Sequence, residues 1–130
     1  MANLATILVV EDTPANIKLV TMLLEKTGYR VLQADNAEDG IALAREHVPD
    51  LILMDIQLSG TDGLTAIRIL KQDGKTRHIK MIALTAYAMK GDDRRMIESG
   101  CDGYIAKPIR YQSFLEEVKR LLALRQSDGG

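Results

Sequence analysis

At 130 residues the chain is long enough for one domain with a substantial core and too short for two, so residues 1–130 are expected to form a single unit. Its 17 basic and 18 acidic side chains nearly cancel and are interspersed, which excludes a basic field for nucleic acid and a polybasic patch for a membrane. One cysteine, no apolar run of membrane-spanning length and an N-terminus (Met1-Ala-Asn-Leu-Ala-Thr6) without a basic leader set the expectation of a reducing cytoplasm, and the absence of Trp argues against a stacking platform for bases or sugars.

Ile7-Leu-Val-Val10 is a fully apolar run that ends directly in Glu11-Asp12. Thr13-Pro14 follows as a helix start, with Ile17, Val20 and Leu24 at helical spacing until Gly28 stops the helix. Tyr29 to Ala34 reads as a short strand. Asn36 then caps a helix that turns Ile41 and Ala44 inward and ends before Pro49. Leu51-Ile-Leu-Met-Asp55 is the second buried run, bounded by Pro49-Asp50 and Ser59-Gly60, and a carboxylate placed directly after four apolar residues does not serve packing. A loop from Ile56 to Asp62 leads into a helix carrying Leu64, Ile67 and Leu70.

Met81-Ile-Ala-Leu84 is the next buried run, ending in Thr85. Met89 to Ser99 should be helical, yet it holds Gly91 and four consecutive charges, which marks it as the weakest helix and the expected movable element. Tyr104-Ile-Ala106 is the fifth strand and runs into Lys107-Pro108. The last helix carries Phe114, Leu115, Val118, Leu121 and Leu122 on one stripe, and residues 125–130 read as a polar tail beyond a core of about 5–124. His47 and His78 are expected on the surface, Cys101 as a small buried residue, and Met22, Met54, Met81, Met89 and Met96 in core and edge packing. Five strands alternating with five helices imply an α/β fold: one doubly wound (βα)5 domain with a parallel sheet, right-handed crossovers and no output domain.

In such a sheet the carboxyl ends of strands one, three, four and five share one rim, where ligands are met. Glu11, Asp12, Asp55, Thr85 and Lys107 would converge there. Taken singly each has a plain explanation: a helix-start acid pair, a turn residue, a solvated lysine. Together they form a cluster that wants a cation, since two carboxylates ~4 Å apart repel by about 4 kcal/mol at an effective dielectric of 20. Carboxylate oxygens without His or Cys are hard ligands, so Mg²⁺ is the natural ion, with Mn²⁺ able to substitute and zinc disfavoured. Magnesium with open positions points to phosphoryl chemistry: Asp55 as acceptor, Lys107 neutralising charge on the transferring group, and Thr85 donating a hydrogen bond to it.

The ordered motifs Ile-Leu-Val-Val-Glu11-Asp12, Leu-Ile-Leu-Met-Asp55-Ile-Gln-Leu, Ala-Leu-Thr85-Ala and Tyr104-Ile-Ala-Lys107-Pro108 resemble the CheY-like receiver domain of two-component response regulators over nearly the whole chain. The wording around Thr85 looks like single-domain regulators and receivers of hybrid histidine kinases. The resemblance implies a flavodoxin-like sheet of order 2-1-3-4-5 and a phosphoryl group received on Asp55 from a sensor histidine kinase or histidine phosphotransfer protein. It implies Mg²⁺ held by Asp12, Asp55 and the backbone carbonyl of Gln57, with Glu11 reaching the metal mainly through water. Thr85 and Tyr104 would be the switch pair, Lys107-Pro108 a cis peptide, and the output a protein partner on the face made by the fourth helix, fifth strand and fifth helix. Ser59 stands where many receivers carry proline. On this reading the chain is a phosphoacceptor switch in the cytoplasm, not a turnover enzyme.

Two other classes compete. A small Mg²⁺-dependent phosphatase of the aspartyl-phosphate type uses the same nucleophile but wants a second acid two residues on, where this chain has Gln57. A flavin or nucleotide binder wants glycines and hydroxyls in the first loop, and the segment from Glu11 to Asn16 has acids instead.

Overall fold

The computed structural model describes residues 5–58, 62–85, 98–107 and 109–129, the last five without their side chains. The strands are β1 (Thr6–Val10), β2 (Arg30–Ala34), β3 (Leu51–Asp55), β4 (Lys80–Thr85) and β5 (Gly103–Ala106). They form one parallel sheet of order β2-β1-β3-β4-β5, as expected. Helices α1 (Pro14–Thr27), α2 (Ala37–His47), α3 (Gly63–Gln72) and a C-terminal helix (Tyr111–Gly129) complete the described architecture. Most of the expected weak helix, with Met89 and Met96, and also Ser59, Gly60 and Pro108 with its peptide bond lie outside the described residues.

Alternation along the central strands assigns the two faces. Leu8, Val10, Ile52, Met54, Met81 and Ala83 pack with α2 and α3 residues, among them Ala44, Leu64, Ile67 and Leu70. Ile7, Val9, Leu51, Leu53, Ile82 and Leu84 pack with Val20 and Leu24 of α1 and with Phe114, Val118 and Leu121 of the C-terminal helix. Because β1, β3 and β4 are covered on both sides, they read as unbroken apolar runs. Burying each such Leu, Ile or Val side chain contributes roughly 1.5–3 kcal/mol, which fixes the strands that carry the rim residues.

The helix ends follow local chemistry. Pro14 occupies the first turn of α1, although the side chain of Thr13 makes no capping hydrogen bond. Gly28 closes α1 at φ 106°, in the left-handed region that glycine adopts without steric cost. Asn36 and Asp62 cap α2 and α3 by accepting from the backbone N–H of Asp39 and Thr65.

At the rim opposite the candidate site, polar ties fix the strand starts. Asp50 Oδ2 accepts from Thr6 N at 2.8 Å. Lys71 Nζ donates to the carbonyl of Ile79 and to Asp102 Oδ2, both at 2.9 Å, and the same Asp102 oxygen accepts from Met81 N at 2.8 Å. The starts of β4 and β5 are thereby held to α3. No helix among the described residues is long and apolar enough to cross a membrane.

Three expectations need correction. The polar residues after Leu124 belong to the last helix rather than following it: the C-terminal helix continues to Gly129, since Arg125 and Gln126 are good helix formers and no proline lies between Leu124 and Gly129. Met22 is 49% exposed on α1 rather than packed. Cys101 is only partly buried against the core formed with α2 and α3. His47 and His78 are exposed, and Met54 and Met81 are fully buried, as read from the sequence.

Candidate functional site

The register of the sheet explains how distant residues meet. Val10 pairs with Met54, so Glu11 and Asp55, each one residue further on, become lateral neighbours. Asp55 pairs with Leu84, and Thr85 pairs with Ala106, which places Lys107 one step past Thr85. The turn into Lys107 is closed by its N–H donating to the carbonyl of Thr85 at 2.7 Å.

Asp55 is 2% exposed. Its Oδ1 accepts from the backbone N–H of Gln57 at 2.9 Å, and its Oδ2 lies 3.1 Å from Lys107 Nζ. Lys107 Nζ also lies 3.0 Å from Oε2 of the fully buried Glu11. That contact is an ion pair without hydrogen-bond alignment, and Glu11 Oε2 has no hydrogen-bond partner among the described residues. The other Glu11 oxygen accepts from Thr13 N at 3.3 Å. One ammonium therefore bridges two buried carboxylates.

Charge states follow from this packing. Burial pushes the Glu11 carboxyl above its ordinary range, and neighbouring Asp55 adds to the rise against the pull of Lys107. Burial alone would lower Lys107, but Glu11 and then Asp55 outweigh it and hold the ammonium above its usual value. Lys107 is thus fully charged at neutral pH.

Glu11, Asp12 and Asp55 each offer a ligand oxygen, and these lie within 4.8 Å of one another. The donor set is all oxygen, two of the three acids are buried, and Glu11 Oε2 lacks a hydrogen bond. The residues present therefore fit a hard divalent cation. Asp12 is half-buried, and Thr85 is 1% exposed at the end of β4. Gln57 is exposed, with its N–H turned to Asp55.

Tyr104 stands apart from this group. It is 52% exposed on β5, and with Lys107, Arg110 and Glu117 it lines a hollow of about 430 Å³. The sequence reading missed Gly63, which is buried against the peptide between Asp55 and Ile56. The pair Asp62-Gly63 at a helix start was the available signal.

A family model described as the response regulator receiver domain matches residues 7–119. A polar-differentiation response regulator DivK from Brucella anthropi is 47% identical over 117 residues, covering 90% of this chain and 95% of that protein. The one from Brucella ovis is 46% identical over the same shares. A CheY-like receiver domain protein from Methanospirillum hungatei superimposes with a TM-score of 0.91 at 28% identity, covering 97% of this chain and 99% of that one. The receiver domain of a sensor histidine kinase from Pseudomonas aeruginosa, crystallised with a magnesium ion coordinated in its active site cleft, gives a TM-score of 0.87 at 31% identity, covering 93% of this chain and 99% of that one.

Proposed function

The chain belongs to the response regulator receiver family, and from that premise we propose that it accepts a phosphoryl group on Asp55 from a phosphohistidine and so switches a protein interaction in a two-component phosphorelay. The observation that carries this reading is the bridge of Lys107 between Asp55 and Glu11, 3.1 and 3.0 Å away, at the carboxyl rim of the sheet.

Asp55 enters as an ionised carboxylate. One of its oxygens bonds to phosphorus as the donor's P–N bond breaks and the imidazole takes up a proton. Lys107, already at Asp55 Oδ2, then meets the new negative charge on the phosphoryl oxygens. Thr85, at the end of the neighbouring strand, supplies a hydroxyl on the same rim. Asp12, Asp55 and the carbonyl of Gln57 would hold Mg²⁺, with Mn²⁺ able to replace it and Glu11 acting mainly through water. The ion would neutralise charge between the carboxylates and the incoming phosphoryl oxygens. Gln57 N–H, bonded to Asp55 Oδ1, fixes the orientation of the carboxylate before the donor arrives.

The product is an acyl phosphate that water resolves, so the chain promotes its own phosphorylation and resetting and turns over nothing else. A hollow of about 820 Å³ beside Asp12, lined by Ile17, Lys18 and Met22 of α1, offers a histidine kinase or histidine phosphotransfer protein a footing next to the acceptor. Tyr104, exposed on β5, is the residue we assign to couple Thr85 to a downstream partner. A cytoplasmic location accompanies this reading, because histidine phosphodonors are charged there from ATP.

Incubation with acetyl phosphate and Mg²⁺ tests the assignment by intact mass. One added phosphoryl group is expected, absent in Asp55→Asn. No gain, or a gain that survives the substitution, removes Asp55 from its role. The phosphatase alternative lacks its second acid, since an exposed Gln57 stands there; turnover of a generic phosphate ester would restore it.

A further inference from the structure

We propose that Gly63 is a positioning residue for the acceptor: its missing side chain lets the first turn of α3 press directly on the peptide that carries Asp55. The inference rests on the phosphoryl-acceptor reading of Asp55. A Cβ built on Gly63 would lie 2.7 Å from both the carbonyl carbon of Asp55 and the Cα of Ile56, and closer still to the Asp55 carbonyl oxygen. All three are backbone atoms, so no side-chain rotation relieves the overlap.

The same peptide is held from the other side by the sheet. Ile56 N–H donates to the Leu84 carbonyl at 3.0 Å, while Gly63 N–H reaches the Ile56 carbonyl at 3.4 Å. The link between the acceptor and the residue after it is therefore clamped between β4 and the start of α3. One residue further on, Gln57 N–H donates to Asp55 Oδ1, so the direction of that donor is set by the clamped peptide. Gly63 thus acts through the backbone on two things at once: the aim of the Asp55 carboxylate and the placement of Gln57. The turn that carries Gly63 is itself fixed by Asp62, whose Oδ1 accepts from Thr65 N at 2.9 Å and whose Oδ2 accepts from Thr65 Oγ1 at 3.2 Å.

Gly63→Ala, compared with wild type, tests this by Mg²⁺ titration calorimetry, by the rate of phosphorylation from acetyl phosphate, and by the amide proton shift of Gln57. The expected result is a fall of at least tenfold in Mg²⁺ affinity and in the saturating phosphorylation rate, with the Gln57 shift moved, in a protein that keeps its secondary structure and cooperative melting. A folded variant with wild-type rate, Mg²⁺ affinity and Gln57 shift overturns the proposal, even if its melting temperature drops. Should Gly63→Ala fail to fold, Asp62→Ala decides. It loosens the same turn without adding an atom, a several-fold loss of rate with a shifted Gln57 amide is expected, and wild-type values overturn the proposal. If wild type itself accepts no phosphoryl group, the acceptor reading fails on its own, while Mg²⁺ affinity and the Gln57 amide still report whether Gly63 places that peptide.

Discussion

Replacing Lys107 with Met keeps the aliphatic stem and deletes the charge that bridges two buried acids. At an effective dielectric of 20, an ammonium about 3 Å from a carboxylate is worth roughly 5 kcal/mol before desolvation, and Lys107 has two such partners. The loss is bounded, because Glu11 can take a proton and share it with Asp55. Holding Glu11 neutral in the folded state, against an ordinary value of 4.5, costs at most 1.36 kcal/mol for each pH unit above 4.5, so about 3 kcal/mol at pH 7 and about 1 kcal/mol at pH 5.5. The signs agree with that trend. Lys107 is raised, so its contribution is complete below its unfolded value and persists across this range, lost only as pH rises through its folded value. Glu11 is an acid raised in the folded state, so the folded form holds more protons than the unfolded one above 4.5, and stability falls as pH rises through the raised value. Removing Lys107 lifts Glu11 further and widens that window. Urea denaturation of wild type and Lys107→Met in EDTA should therefore show a deficit of up to about 3 kcal/mol at pH 7 that shrinks to about 1 kcal/mol at pH 5.5. A deficit of equal size at both pH values, or a more stable variant at pH 7, would refute the electrostatic account of the rim.

Mg²⁺ should raise the melting temperature of wild type, reaching about 2.7 kcal/mol of stabilisation at a hundred times its dissociation constant. Asp12→Asn should abolish that response while melting higher than wild type in EDTA, because one of three crowded acids is gone; differential scanning calorimetry reads both, and an unchanged or lower metal-free melting temperature would count against crowding. Phe114→Ala should cost about 3–5 kcal/mol by urea denaturation, since the ring is fully buried between the sheet and the C-terminal helix. Tyr104→Ala, at a half-exposed site, should change stability by less than about 1 kcal/mol, and any larger loss would place its ring in the core.

The sheet was legible because β1, β3 and β4 are covered on both faces, which forces runs such as Leu51-Ile-Leu-Met54 to be apolar without interruption. The rim was legible for the same reason, since an acid, a hydroxyl or a lysine ending such a run has no packing role. What escaped was whatever depends on pairs of backbone segments. Nothing in the string of residues says that Lys71 reaches Asp102, because that contact joins a helix end to a strand start 31 residues away. Gly63 carries no side chain for a pattern to register, and only the approach of α3 to the Asp55 carbonyl shows why a methyl group has no room there. The end of the C-terminal helix is not legible because the apolar stripe stops at Leu122, whereas helix continuation through the polar residues 125–128 needs only favourable propensity.

The ammonium that joins Glu11 to Asp55 is delivered by β5, a four-residue strand on the outer edge of the sheet with alternate residues half-open to solvent. The two acids sit on interior strands that give way only with the whole domain, whereas an edge strand this short can fray on its own. Brief peeling of β5 would unlatch the lysine and leave the acceptor in place but electrostatically disarmed. If Asp55 is the acceptor proposed above, its competence to take up phosphate would then follow the pairing of β5 with β4 rather than global stability, and a protein that clasped this edge would tune the response without touching Asp55.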